Sequence, residues 1–266
     1  MGCGKIARIE RDGLVYYQFE ALRSEPGLRH AFFTRLGGVS QGPFASLNVG
    51  ASVGDDPAAV VENRRRCFAA LGFSEAQVVT PCQVHSATIA LVGRAQAGQS
   101  LEDTDGLVTA EPGLALFLRF ADCVPIVLYD RRRRAVALVH AGWRGTLQGI
   151  AAAAVRAMEG HLGSQPEDLW AGIGPAIGAC CYEVSPDLAD GFRRRFGPGI
   201  VGQAGQGRPH LDLPAANALA LAEAGVREVE QAGLCTACHL DEFYSHRREG
   251  GRTGRLGALV GLVNGR

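Results

Sequence analysis

The segment FADCVPIVLYDRRRRAVALVHAGWRGT places a cysteine and a histidine where they can act together. Two apolar runs flank four arginines, which predicts an antiparallel hairpin closed by Asp130 opposite Ala135. In that register His140 lies opposite Pro125, and Cys123 is its diagonal neighbour at about 7–8 Å between backbones. Taken singly, the cysteine resembles a small buried hydrophobe and the histidine a hydrogen-bonded group at a strand end. Together, at the open end of a hairpin, they suggest a shared metal ion or hydrogen bond.

A third candidate is His85, in the otherwise apolar or small pattern QVHSATIALV, which we interpret as a strand. Periodicity does not show whether His85 approaches the hairpin, and a lone histidine in a strand is commonly a core polar group. If it does approach, two imidazoles and a thiolate would hold zinc with an open fourth position, as in catalytic zinc sites. Without it, Cys123 and His140 could act as nucleophile and base with no metal.

The C-terminal stretch LCTACHLDEFYSHRREGG contains Cys235, Cys238 and His239 in the C-x-x-C-H spacing that attaches c-type haem. Such haem is attached outside the cytoplasm, whereas the N-terminal MGCGKIARIERDG lacks the apolar segment of a signal peptide. We therefore expect no cytochrome. In a reducing compartment the eight cysteines are expected to be buried thiols, metal ligands or nucleophiles rather than disulfides.

Composition favours small-molecule chemistry. The 266 residues are 47% hydrophobic with a formal net charge of zero, so we expect neither nucleic acid nor a membrane as partner. No run of about 18 apolar residues is present. We predict a soluble, cytoplasmic protein whose residues 1–266 form a single domain.

The elements that must position these residues alternate irregularly. Helices are predicted in DDPAAVVENRRRCFAALG, in TLQGIAAAAVRAMEG after Thr146, in SPDLADGFRRRFG, and from near Pro214 towards Ala224. Strands are predicted in GLVYYQF, QVHSATIALV, LALFLRF, VPIVLYD, AVALVHA and GALVGLV. This order predicts an α/β or α+β fold with a mixed sheet rather than a doubly wound parallel one.

Three turns combine arginine with glycine: TRLGGVSQGPF, GWRGT and SHRREGGRTGR. Backbone amides of glycine turns and the fork of an arginine are suited to binding phosphate. Each turn alone could equally be a solvated surface loop. Three in one neutral chain indicate an anion-binding pocket.

Seven motifs follow one another from about Ala31 to the C-terminus: FTRLGGVSQGPFASLNVGASVGDD, QVHSATI, DTDGLVT, ADCVPIVLYD, VHAGWRGT, GPAIGACCYEV and CTACHLDEFYSHRREGGRTGR. In this order they resemble the purine nucleoside phosphorylase family formerly filed as laccase-domain or polyphenol-oxidase proteins. The resemblance implies a single α/β domain whose mixed sheets are sandwiched between helical layers, a fold we liken to that of cysteine hydrolases. It also implies that His85, Cys123 and His140 bind zinc, with copper possible at the same site. We assign neither Cys238 nor His239 to the metal.

The activity implied by the resemblance is phosphorolysis of inosine, adenosine, guanosine and methylthioadenosine, with adenosine deamination. The expected partners are therefore purine nucleosides and phosphate. Catalysis falls to the three zinc ligands, and the candidate substrate- and phosphate-binding residues are Arg35, Gly37, Gly38, Asn48, Arg144, Arg247 and Arg248. Asp122 and Glu183 are candidates for proton transfer in deamination, although a regular strand would direct Asp122 to the opposite face from Cys123.

Three other functions remain open. A hydrolase using Cys123 and His140 would not need His85, so a fully active, metal-free His85→Ala variant would refute the zinc site. A copper polyphenol oxidase is disfavoured by seven histidines without an H-x-H pair and by only two methionines. A non-catalytic purine sensor or cell-wall editing factor would use many of the same residues.

Overall fold

The computed structural model describes residues 2–3, 5–204 and 207–263. The α-helices in these ranges are α1 (Glu20–Arg23), α2 (Pro57–Ala70), α3 (Trp143–Leu147), α4 (Ile150–Leu162), α5 (Pro186–Phe196) and α6 (Leu213–Glu223). The strands are β1 (Gly2–Cys3), β2 (Ile6–Arg11), β3 (Leu14–Phe19), β4 (Leu28–Phe33), β5 (Val78–Pro81), β6 (Ile89–Leu91), β7 (Ser100–Leu101), β8 (Gly106–Thr109), β9 (Ala115–Phe120), β10 (Val124–Asp130), β11 (Ala135–Ala141), β12 (Leu169–Ile173), β13 (Val201–Ala204), β14 (Arg208–Leu211), β15 (Glu228–Gln231) and β16 (Leu256–Leu262).

Two mixed sheets of seven strands each dominate the fold. One has the order β1-β15-β12-β10-β11-β8-β6 and the other β2-β3-β4-β16-β9-β5-β7. Strands β10 and β11 are buried at every position, as expected for the middle of a covered sheet. The site residues at the ends of these two strands therefore stand on a rigid support.

The core has three parts that define the layers. One apolar cluster lies between the first sheet and helices α4, α5 and α6, and includes Met158 and Phe192. A second cluster lies between the two sheets and includes Phe19 and Trp170. A third cluster packs α2 on the outer face of the second sheet, with Phe68 against Phe117. The predicted mixed α/β fold, with sheets between helical layers, is confirmed.

The predicted hairpin is present in the predicted register. Asp130 pairs with Ala135 and Pro125 pairs with His140 in the antiparallel ladder of β10 and β11. The four-residue turn fixes this register, since both faces of the two strands are buried, and the Asp130 carboxylate accepts hydrogen bonds from the N–H groups of Arg132 and Arg133 within the turn.

Helix boundaries follow the predicted capping residues in two cases. The Asp56 carboxylate accepts a hydrogen bond from the N–H of Ala58 at the start of α2, and Ser185 caps α5 in the same way. The helix predicted after Thr146 is different, because Gly149 adopts a left-handed φ of 81° and separates the short α3 from α4.

The strand predicted in QVHSATIALV is largely wrong. Only Ile89–Leu91 forms a strand, and His85 has a left-handed φ of 63°. The cause is a tertiary contact, since the N–H groups of Val84, His85 and Ser86 all donate to the carboxylate of Asp105. A chain wrapped around one carboxylate cannot keep the extended ladder of a strand.

Across the residues that the structure describes, no helix combines the length and apolar character needed to cross a lipid bilayer.

Candidate metal centre and active site

Three side chains from separate parts of the chain converge at the open end of the β10–β11 hairpin. His85, Cys123 and His140 each offer one ligand atom, and these atoms all lie within 4.8 Å of one another. The Sγ of Cys123 is 3.9 Å from the Nε2 of His85, and the two imidazole rings are 4.9 Å apart at 75°. Two imidazoles and one thiolate form a donor set suited to zinc, with the fourth position left for substrate or water.

A buried carboxylate positions both histidines. The Oδ1 of Asp105 accepts a hydrogen bond from the backbone N–H of His85 at 3.0 Å and lies 2.8 Å from the Nδ1 of His140. Its Oδ2 accepts from the N–H and the hydroxyl of Ser86. A proton on Nδ1 leaves the Nε2 of His140 for the metal, the arrangement that commonly orients metal-binding histidines.

Protonation in the metal-free centre follows from these contacts. Burial alone would raise the pKa of Cys123, but the His140 and His85 imidazoles lower it to about 6. Burial would lower the pKa of His140, but Cys123 and Asp105 raise it to about 9. Burial would likewise raise the pKa of Asp105, yet hydrogen bonds from His140 and Ser86 hold it well below its usual range. Without a metal, the centre at neutral pH is thus a thiolate beside an imidazolium.

The absence of a side chain at residue 142 permits the close approach. A Cβ on Gly142 would lie 2.9 Å from the Cδ2 of His85 and 3.1 Å from the Sγ of Cys123. Its φ of −76° is accessible to any residue, so the requirement for glycine here is purely steric.

The three side chains open into a cavity of about 540 Å³, a volume typical of small-molecule sites. The cavity is lined by Gly50, Ser52, Gln83, His85, Arg119, Ala121, Asp122, Cys123, His140, Trp143, Arg144, Ile177, Tyr182, Leu213, His246, Arg247 and Arg255. Four of these residues are arginines and only one, Asp122, is a carboxylate. The cavity is therefore strongly cationic and suited to an anion.

The single carboxylate is already engaged. The Oδ1 of Asp122 accepts a hydrogen bond from the Thr236 hydroxyl, and its Oδ2 accepts from the backbone N–H of Arg247, both at 2.7 Å. Asp122 has a left-handed φ of 82°, so the strand geometry used in its sequence interpretation does not apply. These contacts give it the role of holding the C-terminal loop. The other proton-transfer candidate, Glu183, is half-buried, lies outside the cavity lining and pairs with Arg208.

The structure brings Arg144 and Arg247 to the cavity. The Arg144 guanidinium stacks on the Trp143 ring at 4.4 Å and has no hydrogen-bond partner within the described ranges. The Arg247 guanidinium lies 5.0 Å from the Tyr182 ring and donates to the backbone carbonyl of Glu183, leaving other N–H groups available.

The structure does not bring Arg35, Gly37 or Gly38 to the cavity lining. The Arg35 guanidinium is largely buried, donates to the carbonyl of Ala45, and pairs with Glu249. It serves as an internal link between loops, because its donors are already used by groups of the protein itself.

Two further candidates also lie outside the lining. Asn48 is fully buried, and its Oδ1 accepts from the N–H groups of Gly50 and Arg255, which are cavity residues. Asn48 therefore positions the wall rather than touching the cavity. Arg248 is exposed and donates through its N–H to Ser245.

Sequence reasoning missed several residues of the site. Asp105 stands in the motif DTDGLVT, and Arg255 ends the motif SHRREGGRTGR, so both were in segments already marked as informative. Tyr182 stands likewise in the motif GPAIGACCYEV, whereas Arg119 carries no comparable motif signal because it occupies an otherwise apolar strand. A charged residue within such a strand is the feature that could have identified it.

The chain is similar to known proteins over most of its length. Residues 29–263 match the family model described as multi-copper polyphenol oxidoreductase laccase. The chain is 42% identical over 240 residues to the purine nucleoside phosphorylase YlmD of Geobacillus stearothermophilus, covering 86% of this chain and 88% of that protein. It is 43% identical over 234 residues to a purine nucleoside phosphorylase of Deinococcus radiodurans, covering 88% of each.

Solved structures show the same fold. The crystal structure of YlmD from Geobacillus stearothermophilus superposes with a TM-score of 0.90 and 38% identity, covering 96% of this chain and 98% of that one. The Bacillus licheniformis protein YfiH gives a TM-score of 0.89 and 36% identity over the same shares. The chain belongs to this laccase-domain family, whose curated relatives include the purine nucleoside phosphorylases above.

Proposed function

We propose that this protein is a zinc-dependent purine nucleoside phosphorylase acting on inosine, adenosine, guanosine and methylthioadenosine, and that it also deaminates adenosine. The observation that carries the proposal is that one cavity combines the His85, Cys123 and His140 ligand set with four arginines and a single, engaged carboxylate. Phosphorolysis needs a phosphate anion bound beside a nucleoside, and the excess of arginines over carboxylates in the cavity favours binding of that anion. We further propose a cytoplasmic location, because a reducing compartment keeps such thiols available.

Phosphate binding falls to the arginines with unused donors. Arg144, in α3, and Arg247, in the C-terminal loop, both line the cavity, and their planar guanidinium groups can each donate two hydrogen bonds to one phosphate. Arg119 and Arg255 are partly buried and bonded to backbone carbonyls, so they add positive potential to the cavity wall. The phosphate is thereby fixed where its oxygen can meet the ribose carbon of the glycosidic bond.

The nucleoside binds against the aromatic part of the cavity. Trp143 and Tyr182 offer ring surfaces for a purine. Burial raises the pKa of Tyr182 to about 12, so its hydroxyl remains a hydrogen-bond donor at neutral pH. When bound at its three ligands, zinc supplies Lewis-acid activation, the chemistry that hydrolytic deamination requires.

The test is chromatographic. Zinc-replete protein is incubated with inosine, with and without phosphate, and hypoxanthine is quantified. We expect hypoxanthine only with phosphate and none from Cys123→Ser. Product that forms equally without phosphate would contradict phosphorolysis. The same assay with adenosine detects inosine and so tests deamination, while elemental analysis distinguishes zinc from copper.

An arginine pair tests the phosphate assignment. Each charge-assisted hydrogen bond contributes about 1.5–3 kcal/mol, so Arg144→Ala, which removes the whole guanidinium, should raise the KM for phosphate at least about tenfold. Arg227→Ala is the matched control, because Arg227 is exposed, outside the cavity lining, and without a hydrogen-bond partner in the described part of the chain. Equal phosphate KM values in the two variants would remove Arg144 from the phosphate site.

A cysteine hydrolase is the second candidate. The observation that favours it is that the Cys123 thiol lies beside the His140 imidazole, which Asp105 orients in turn. Such a hydrolase needs no His85. Activity that survives both removal of the metal and replacement of His85 would favour it over the zinc enzyme.

A further inference from the structure

A second group of thiols lies apart from the His85, Cys123 and His140 centre. Cys180 and Cys181 follow each other in one loop, and Cys235 and Cys238 form the C-x-x-C pair of another. Their four Sγ atoms all lie within 4.8 Å of one another. We call them the four-cysteine cluster. Neither the cavity nor the proposed reaction uses these side chains.

The distances within the cluster match those of ligands around one ion. The Sγ of Cys238 lies 3.5 Å from that of Cys180 and 3.4 Å from that of Cys181. A tetrahedron with zinc–sulfur bonds of about 2.3 Å separates neighbouring sulfurs by about 3.8 Å. A disulfide would require about 2.05 Å between two sulfurs. The two measured sulfur–sulfur distances are close to the tetrahedral value and much longer than a disulfide bond, so the four thiols have the geometry of a tetrahedral metal site.

The surrounding backbone holds the two loops in register. Ala176 and Cys235 form a parallel bridge, in which the Ala176 N–H donates to the Leu234 carbonyl and the Thr236 N–H donates to the Ala176 carbonyl. The N–H of Gly178 donates to the Sγ of Cys235 at 3.2 Å. Donors of this kind stabilise a metal-bound thiolate and orient it, as the second shell of a metal site does.

We propose that Cys180, Cys181, Cys235 and Cys238 form a tetrathiolate site for zinc, structural in role and separate from the cavity centre. Four protein thiolates leave no open position, which is the mark of a structural rather than a catalytic zinc. One of the two pairs, Cys235 and Cys238, has the C-x-x-C spacing that is common among zinc ligands. The neighbouring His239 is not part of the cluster.

The site would stabilise one side of the cavity. Tyr182 follows directly after the first cysteine pair and lines the cavity. Thr236 lies between the other two cysteines and donates to Asp122, which in turn accepts from the N–H of Arg247. Zinc joining the two loops therefore fixes the positions of an aromatic wall and an arginine.

The decisive experiment counts metal in protein purified under reducing conditions with zinc present. We expect about two zinc ions per chain in the unaltered protein, one for each site. His85→Asn should retain about one, and the double variant His85→Asn/Cys238→Ser should retain none. Cys82→Ser, at an exposed cysteine outside both ligand sets, is the matched control and should retain both.

Cobalt substitution identifies the ligands that remain. In the His85→Asn protein, bound cobalt should show the thiolate charge-transfer and d–d bands of a tetrahedral tetrathiolate complex, and Cys238→Ser should abolish them. Unaltered protein holding a single zinc that disappears in His85→Asn would overturn the proposal, even if Cys238→Ser fails to fold. This outcome is independent of turnover, so it does not depend on the proposed phosphorolysis.

Discussion

Replacement of Asp105 by asparagine tests whether one carboxylate organises the metal centre. Its Oδ2 accepts from the N–H groups of Val84 and Ser86 and from the Ser86 hydroxyl, while its Oδ1 accepts from the N–H of His85 and lies 2.8 Å from the Nδ1 of His140. An amide of the same shape has only one accepting oxygen. The substitution therefore changes hydrogen-bonding capacity with little change in volume.

The magnitude follows from the geometry. The least unfavourable orientation keeps the amide oxygen at the Oδ2 position of Asp105 and turns its NH₂ towards His85 and His140. The N–H of His85 is then left without a hydrogen-bond partner, which lowers the free energy of unfolding by about 1–3 kcal/mol. His140 can accept from the amide only in the tautomer that protonates Nε2, which removes its metal-binding lone pair. We expect zinc affinity to fall about 10- to 100-fold, the usual effect of losing a second-shell carboxylate.

The assay is a competition titration of zinc against a chelator, with thermal unfolding followed by circular dichroism. Asp103→Asn is the control, because Asp103 is exposed and has a left-handed φ of 48° that asparagine adopts readily.

The same variant predicts a pH dependence. Because the pKa of Asp105 is lowered in the folded state, its carboxylate stabilises the fold fully above about pH 4, and this contribution is lost as the pH falls through the folded-state pKa. The stability gap between the unaltered protein and Asp105→Asn should narrow in acid. A folded Asp105→Asn with unchanged zinc affinity would refute this reasoning.

Three further predictions concern the metal centre and the cavity wall beside it. Gly142→Ala should lower zinc affinity at least about tenfold, measured by zinc titration, because its Cβ would lie 2.9 Å from the His85 ring. Its control is Gly160→Ala, in open space within a helix, which should raise the free energy of unfolding in urea by about 0.5–1 kcal/mol. His85→Asn, which keeps a left-handed backbone available, should lose zinc and phosphorolysis together, and metal-free activity would point to the hydrolase. Thr236→Val should lower the free energy of unfolding by about 1–3 kcal/mol, because the buried Asp122 loses a hydrogen-bond donor; urea unfolding with no change would contradict this.

Much of the local structure could be predicted from the sequence. The pairing of Pro125 with His140 follows from two continuous apolar runs joined by a short arginine turn, and both features are local. The caps at Asp56 and Ser185 are local as well, since each side chain bonds an N–H within three residues. Such interactions are encoded by neighbours in the chain.

The three proposed metal ligands could be named from the sequence, but the way the fold brings them together could not. The motif resemblance named His85, yet its backbone was predicted as a strand because the pattern around it is apolar. The wrapping around Asp105, 20 residues further on, overrides that propensity. Likewise Arg35 has the residue type and glycine neighbours of an anion site, and only the fold shows that Glu249 and backbone carbonyls occupy its donors.

By itself, the sequence determined the hairpin register, the capped helices and the family to which the chain belongs, because short-range periodicity and residue order are preserved in the linear chain. The tertiary structure alone decided which arginines face the cavity and that Cys180 and Cys238, 58 residues apart, lie in contact. Contacts of this kind depend on loops placed by two packed sheets. No local propensity encodes that placement, since it results from burying the faces of both sheets together.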